Sequence, residues 1–215
     1  MQYNWNNFAN LGFVSQKFND EELAPIKEEI ALIQKDFSKA DPFQYGLAGH
    51  LQNEYKLTNS FGKLEKLLFP LVQAYNQEYP IYYGNMQNAT DVLTPVLLAK
   101  AWVNFQKKLE FNPHHDHSGL FSFVLWLNIP YELQEERKVF PQFADTGRDS
   151  KTSCFEFVYT DITGRIRPHL LHIDKSYEGT CILFPSSVPH QVYPFYTSDG
   201  YRISVSGNFY LKGFE

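Results

Sequence analysis

Cysteine is scarce in this 215-residue chain, with only Cys154 and Cys181. Each sits in an apolar, strand-like run ("SCFEF" and "GTCILF"), so a disulfide framework is excluded and two buried, unbridged thiols are expected. Charge is also sparse. Asp, Glu, Lys and Arg make up 20% of the residues, the net charge is -5, and no run of Lys or Arg exceeds two. The basic footprint of a nucleic-acid binder is therefore missing, and no nucleic-acid partner is expected. No segment approaches the roughly 20 apolar residues of a membrane-spanning helix. The opening "MQYNWNNFANLGF" has neither a basic start nor an apolar core of the kind a secretion signal carries. A cytoplasmic protein with no membrane partner is the expectation. Nor is there an internal repeat, a linker or a low-complexity tract, which points to one domain over 1-215.

Aromatic residues are abundant, at 17% with 14 Tyr and 19 Phe, and favour a packed, β-rich body. Two amphipathic helices come first. In "DEELAPIKEEIALIQKDF", Leu23, Ile26, Ile30, Ile33 and Phe37 recur at helical spacing behind an acidic first turn. In "SFGKLEKLLFPLVQAYNQEY", a second stripe contains Pro70, which should kink the helix or mark its start. Beyond about residue 95, short aromatic and β-branched runs alternate with turn residues: "LLAKAWVNFQ", "LFSFVLWLNI", "CFEFVYT", "HLLHI", "TCILF", "HQVYPF" and "YRISVSGNFYL". This texture belongs to a β-sandwich or barrel. The division expected is a helical flank with supporting strands over 1-95 and a β-core over 96-215. The polar stretch from Tyr131 to Ser153 reads as a long loop of the kind that can act as a lid, and together with exposed sheet edges it allows a homodimer.

"NPHHDHSG", residues 112-119, carries the chemistry. On a strand, residues two apart share a face, so either His115 with His117 or His114 with Asp116 could converge on one metal ion. The residues alone leave both frames open. His190 opens a later extended run and supplies a third candidate ligand. Twelve residues on, Arg202, Ser204, Ser206 and Asn208 line one face of a strand. Such a face commonly turns to water, but an Arg with a Ser two residues later can also hold a carboxylate inside a barrel. His50, His169 and His172 have no matching pattern. Trp102, Asn104, Ser122, Trp126 and Asn128 are weaker candidates for the barrel mouth, as are Tyr82 and Tyr83 for substrate contact.

Taken together, "NPHHDHSG" before "FSFVLWLNIP", the pattern G-x-x-x-x-F-P-x-x-x-x-H from Gly179 to His190, R-x-S from Arg202 to Ser204 and the closing "SGN" resemble the 2-oxoglutarate and iron(II) dependent oxygenase superfamily. The likeness is to its small phage-type and prolyl-hydroxylase-like members, over roughly residues 100-211. It implies a mainly β fold, a double-stranded β-helix of the jelly-roll or cupin type, with the N-terminal helices flanking it. It aligns His115 and His117 with the histidines of N-P-x-H-x-H-x-G and makes His190 the third metal ligand. This departs from the commoner H-x-D pair, which His114 and Asp116 would restore. The resemblance further implies iron(II) as cofactor, 2-oxoglutarate as cosubstrate, and Arg202 and Ser204 as the residues binding its far carboxylate. The implied reaction is oxidative decarboxylation of 2-oxoglutarate to succinate coupled to hydroxylation of a C-H bond in a protein side chain or small molecule. Two alternatives stand beside it: a cupin-type metal enzyme without the keto acid, against which Arg202 and Ser204 argue, and a non-catalytic barrel used as a binding module.

Overall fold

The computed structural model describes residues 10–43, 49–80, 94–141 and 150–214. Strand β1 (Val14–Lys17) leads into helix α1 (Asp20–Lys35), followed by β2 (Glu54–Lys56) and helix α2 (Phe61–Glu78). The barrel strands are β3 (Val96–Gln106), β4 (Asn112–His115) and β5 (Phe121–Asn128), then β6 (Phe155–Thr160) and β7 (Ile166–Leu171). They close with β8 (Thr180–Pro185), β9 (His190–Val192) and β10 (Arg202–Leu211). Two antiparallel sheets result, six-stranded in the order β1-β8-β5-β10-β3-β2 and four-stranded in the order β4-β9-β6-β7. The strand runs predict a β-core with flanking N-terminal helices, and the mainly β, jelly-roll architecture is the one the resemblance implies.

Strand alternation explains why the large sheet is apolar on one face and mixed on the other. Phe123, Leu125, Val103, Phe105, Val205, Phe209 and Leu183 point outward and pack under α1 and α2, against Leu23, Ile26, Leu64, Leu68 and Leu71. Their neighbours Val124, Trp126, Ile182 and Phe184 point inward and meet Phe155, Phe157 and Ile173 in a second core between the sheets. Strands such as β5, covered on both faces, therefore read as unbroken apolar runs.

The helix ends follow from local chemistry. Asn19 and Glu22 form a reciprocal capping box at the start of α1, satisfying two orphan N-H groups. The Glu29 carboxylate accepts hydrogen bonds from the Thr58, Asn59 and Ser60 amides and the Ser60 hydroxyl, tying α1 to the entry of α2. Pro70 lies inside α2 and neither starts nor ends it. Burial of Leu64, Leu68, Leu71, Val72 and Tyr75 outweighs the single intrahelical bond that proline removes.

The stretch expected to be one loop contains a short helix, α3 (Leu133–Lys138). Its anchor is Glu136, fully buried, whose carboxylate accepts from the amides of Tyr196 and Thr197 and from the Thr197 hydroxyl. A polar sequence gave no hint of that buried cap. Residues 142–149 of the expected lid, like Tyr82 and Tyr83, lie outside the described residues. Cys154 and Cys181 are both buried and form no disulfide, as expected.

Candidate metal centre

His115 ends β4 and lies directly opposite His190, the first residue of β9. His117 lies beyond the strand, where its amide donates to the Ser186 carbonyl (2.9 Å). The turn into β5 then passes through Gly119, with φ at 108°, where a Cβ would sit 2.9 Å from the Phe209 carbonyl oxygen. Only glycine fits there without strain, so "HSG" brings the chain from the small sheet to the large one. The shared-face argument places both histidines on one strand; instead strand and turn each deliver one.

The potential ligand atoms of His115, His117 and His190 all lie within 4.8 Å of one another, and their ring centroids are 4.4 to 5.1 Å apart. Metal-nitrogen bonds of about 2.1 Å at right angles put ligand nitrogens about 3 Å apart, so small ring movements complete a facial triad. The Nδ1 atoms of His115 and His190 lie 2.7 Å from the Pro113 carbonyl and 3.0 Å from the Val188 carbonyl. A proton on each Nδ1, donated to these carbonyls, leaves Nε2 with its lone pair free for a metal. His114 and Asp116 are exposed and belong to no such cluster among the described residues.

Burial holds all three imidazoles neutral, the form a metal needs. It pushes His117 down to about 4, helped by the neighbouring His115. Burial, then the proximity of His115 and His117, drives His190 well below its ordinary value, and burial also lowers His115. Phe155 stacks on His190 with centroids 5.3 Å apart, Phe184 meets it edge-on at 5.0 Å, and Trp102 stands 6.0 Å from His117. These rings form a dry wall around the centre.

The same pocket is lined by Arg202 and Ser204, with Trp102, Asn104, Gln106, Trp126 and Ser206 around them. The polar face of β10 thus looks into the barrel. It is a connected floor: Trp102 Nε1 donates to Asn104 Oδ1, and Asn104 Nδ2 donates to the Ser204 and Ser206 hydroxyls (3.3 and 3.1 Å). Arg202 is 2% exposed. Its five N-H groups are spent on Gln106 Oε1 (3.0 and 2.7 Å), the Tyr131 hydroxyl and the carbonyls of Ser153 and Tyr193. All these acceptors are neutral, and among the described residues no carboxylate pairs with Arg202. A buried cation without a counter-ion suits an anionic ligand. The Gln106 oxygen sits in the guanidinium fork where one carboxylate oxygen would bind.

Asn112, the first residue of the quoted motif, lines the pocket too; Gln106, Tyr131 and Glu54 complete the surroundings and were not singled out from the sequence. Periodicity could have flagged Gln106, which continues the Trp102 and Asn104 face of β3. Tyr131 and Glu54 carried no usable signal, because one lies in a polar stretch and the other on a three-residue strand.

A double-stranded β-helix that gathers three neutral imidazoles beside a buried guanidinium has the arrangement of the 2-oxoglutarate and iron(II) dependent oxygenases. Residues 100–208 match the family model described as "Putative 2OG-Fe(II) oxygenase", and the chain belongs to that family. Its cofactor is iron(II) and its cosubstrate 2-oxoglutarate, and the donor set fits both: three imidazole nitrogens for the metal, an uncompensated cation for the dicarboxylate. No curated protein matches the chain. Solved structures share the fold. A prolyl-4-hydroxylase from Pseudomonas putida superposes with a TM-score of 0.55 over 94% of either chain at 14% identity. A prolyl hydroxylase from Trichoplax adhaerens, solved with a peptide of the hypoxia inducible factor oxygen degradation domain, gives 0.57 over 94% of this chain and 84% of its own, at 12% identity. AviO1 from Streptomyces viridochromogenes Tue57 gives 0.53 over 95% and 92%, at 10% identity.

Proposed function

We propose that this protein is a 2-oxoglutarate-dependent iron(II) dioxygenase that hydroxylates a C-H bond of a protein side chain or small molecule. The convergence of His115, His117 and His190 beside an uncompensated, buried Arg202 carries this reading. The three histidines would hold the metal, His115 and His190 through Nε2 because their Nδ1 atoms face the Pro113 and Val188 carbonyls, which fix these two rings. Arg202 binds the far carboxylate of 2-oxoglutarate, displacing Gln106 Oε1 from the fork, while the Ser204 hydroxyl donates to the same group. Trp102, Trp126 and Phe155 exclude water and fix the direction from which substrate approaches. Bound iron(II) and 2-oxoglutarate supply the oxidising step, with succinate and carbon dioxide as products.

A triad without a carboxylate is also what a cupin-type metal enzyme would offer, but that reading leaves Arg202 buried with no purpose. The flanking helices share a core with the barrel strands, which supports one domain over 1-215. Two buried, unbridged thiols support a reducing, cytoplasmic setting, and no described helix is long and apolar enough to cross a membrane. The test of function is succinate formation from 2-oxoglutarate by the iron(II)-loaded protein in air. Iron-dependent succinate release that vanishes in Arg202→Ala while iron content persists is the expected result. Release unaffected by Arg202→Ala would remove the role assigned to that residue.

A further inference from the structure

Among the described residues, Glu54 is the one acidic side chain lining the pocket of the three histidines. It is 1% exposed, yet neither carboxylate oxygen accepts a hydrogen bond among the described residues. Other buried carboxylates of this protein are paired several times over: Glu29 and Glu136 each accept from backbone amides and a hydroxyl, and Glu156 accepts from Lys151 and Tyr193. An unpartnered buried carboxyl is costly to hold. Its position makes it a candidate for ligand recognition.

Alternation on β2 aims Glu54 inward, while Tyr55 points outward and stacks on Phe37. Across the sheet, Glu54 pairs with Asn104 and Asn104 with Ser204, so Glu54 stands two strands, roughly 10 Å, from the serine beside Arg202. It lies outside the cluster able to hold a metal. None of Arg202's five hydrogen bonds goes to it, and a carboxylate would repel the acidic cosubstrate rather than bind it. Asn112 Oδ1, another buried acceptor without a donor, lines the same pocket. The chain at Gly49 crosses directly over it, where a Cβ would come within 2.6 Å of that oxygen. Among the described residues, three oxygens thus share the pocket with no N-H or O-H directed at any of them.

We infer that the substrate of this oxygenase carries a cationic nitrogen, an ammonium or guanidinium group, which Glu54 pairs with and Asn112 Oδ1 helps to hold. The inference rests on the oxygenase reading and adds the substrate class to it. Such a group supplies the donors that the three oxygens lack, and a charge-assisted pair in a dry pocket is stronger than a neutral one. Burial, and secondarily Glu110, raises Glu54 to about 7, so a bound cation would also draw it into its ionised form.

The test uses n-butylammonium as probe and 1-butanol as its neutral counterpart, each titrated calorimetrically at pH 8 into anaerobic, iron(II)-loaded protein with 2-oxoglutarate. The cation is expected to bind about tenfold or more tightly than the alcohol. In Glu54→Gln the two should bind alike, and Glu54→Asp should keep part of the preference. Equal affinities in the parent protein, or a preference that survives in Glu54→Gln, would overturn the inference. The visible charge-transfer band of the chelated keto acid, read on the parent sample, separates the two ideas. A band without cation preference sinks the substrate class alone. Cation preference without a band leaves Glu54 as a cation site and sinks the oxygenase reading.

Discussion

Replacing Glu54 by Gln should change how the metal-free protein's stability depends on pH. Burial first, and the charge of Glu110 second, lift the Glu54 carboxyl from its ordinary 4.5 to about 7 in the folded protein. Between these values the native state binds more protons than the unfolded chain, so stability falls as pH rises across that window. Below about 4.5 the carboxyl is neutral in both states and imposes no penalty; above about 7 it is ionised in both and the penalty is complete. At 1.36 kcal/mol per pH unit, the span from 4.5 to about 7 gives an upper limit of about 3 kcal/mol. For a chain of this length that corresponds to about 6 to 12 °C in unfolding midpoint. Thermal unfolding of parent and Glu54→Gln in the presence of a chelator, at pH 4, 5, 6, 7 and 8, reads the difference directly. The other titrating groups, the three histidines included, are common to both proteins and cancel. The variant's midpoint relative to the parent should climb by several degrees from pH 4 to pH 8. A difference that stays flat would show that Glu54 ionises as it does in water, and the unpartnered, buried carboxyl would be wrong.

Gln106→Ala removes the oxygen that takes two of Arg202's N-H groups. Freed donors should tighten 2-oxoglutarate binding about fivefold, from roughly 1 kcal/mol of lost competition; weaker binding would mean that Gln106 positions the guanidinium instead. Ser204→Ala should weaken 2-oxoglutarate about fivefold and leave iron content unchanged, by the worth of one hydrogen bond, and an unaltered affinity would take Ser204 out of the site. Glu136→Ala strips the buried cap that holds Tyr196 and Thr197. A loss of about 2 to 4 kcal/mol is expected in denaturant unfolding, and a loss under 1 kcal/mol would contradict that anchoring.

The large features of the fold were legible because they follow from periodicity. The helical stripes at Leu23, Ile26 and Ile30 and at Leu64, Leu68 and Leu71 lie in α1 and α2, and the runs containing Phe123, Ile182 and Val205 lie in the large sheet. The histidine pair could be read only up to its two frames. Strand alternation allows either, and partial burial of His115 and His117 with exposure of His114 and Asp116 depends on β4 pairing with β9, a contact between distant segments. Arg202 was visible as part of a polar face, but its neutral partners Gln106, Tyr131 and Tyr193 come from other strands and loops. The buried carboxyls were not legible at all. Glu54 and Glu136 look like surface charges in "NEYKL" and "QEERK", and only long-range packing buries them.

The central claim, a three-histidine iron centre that chelates 2-oxoglutarate beside Arg202, is tested most directly by anaerobic titration of the iron(II)-loaded protein with 2-oxoglutarate. The readout is the weak visible metal-to-ligand charge-transfer band, recorded for the parent, His115→Ala and Asp116→Ala. A band in the parent, retained in Asp116→Ala and lost in His115→Ala, is the predicted result. A band lost only in Asp116→Ala, or no band in the parent, would contradict it.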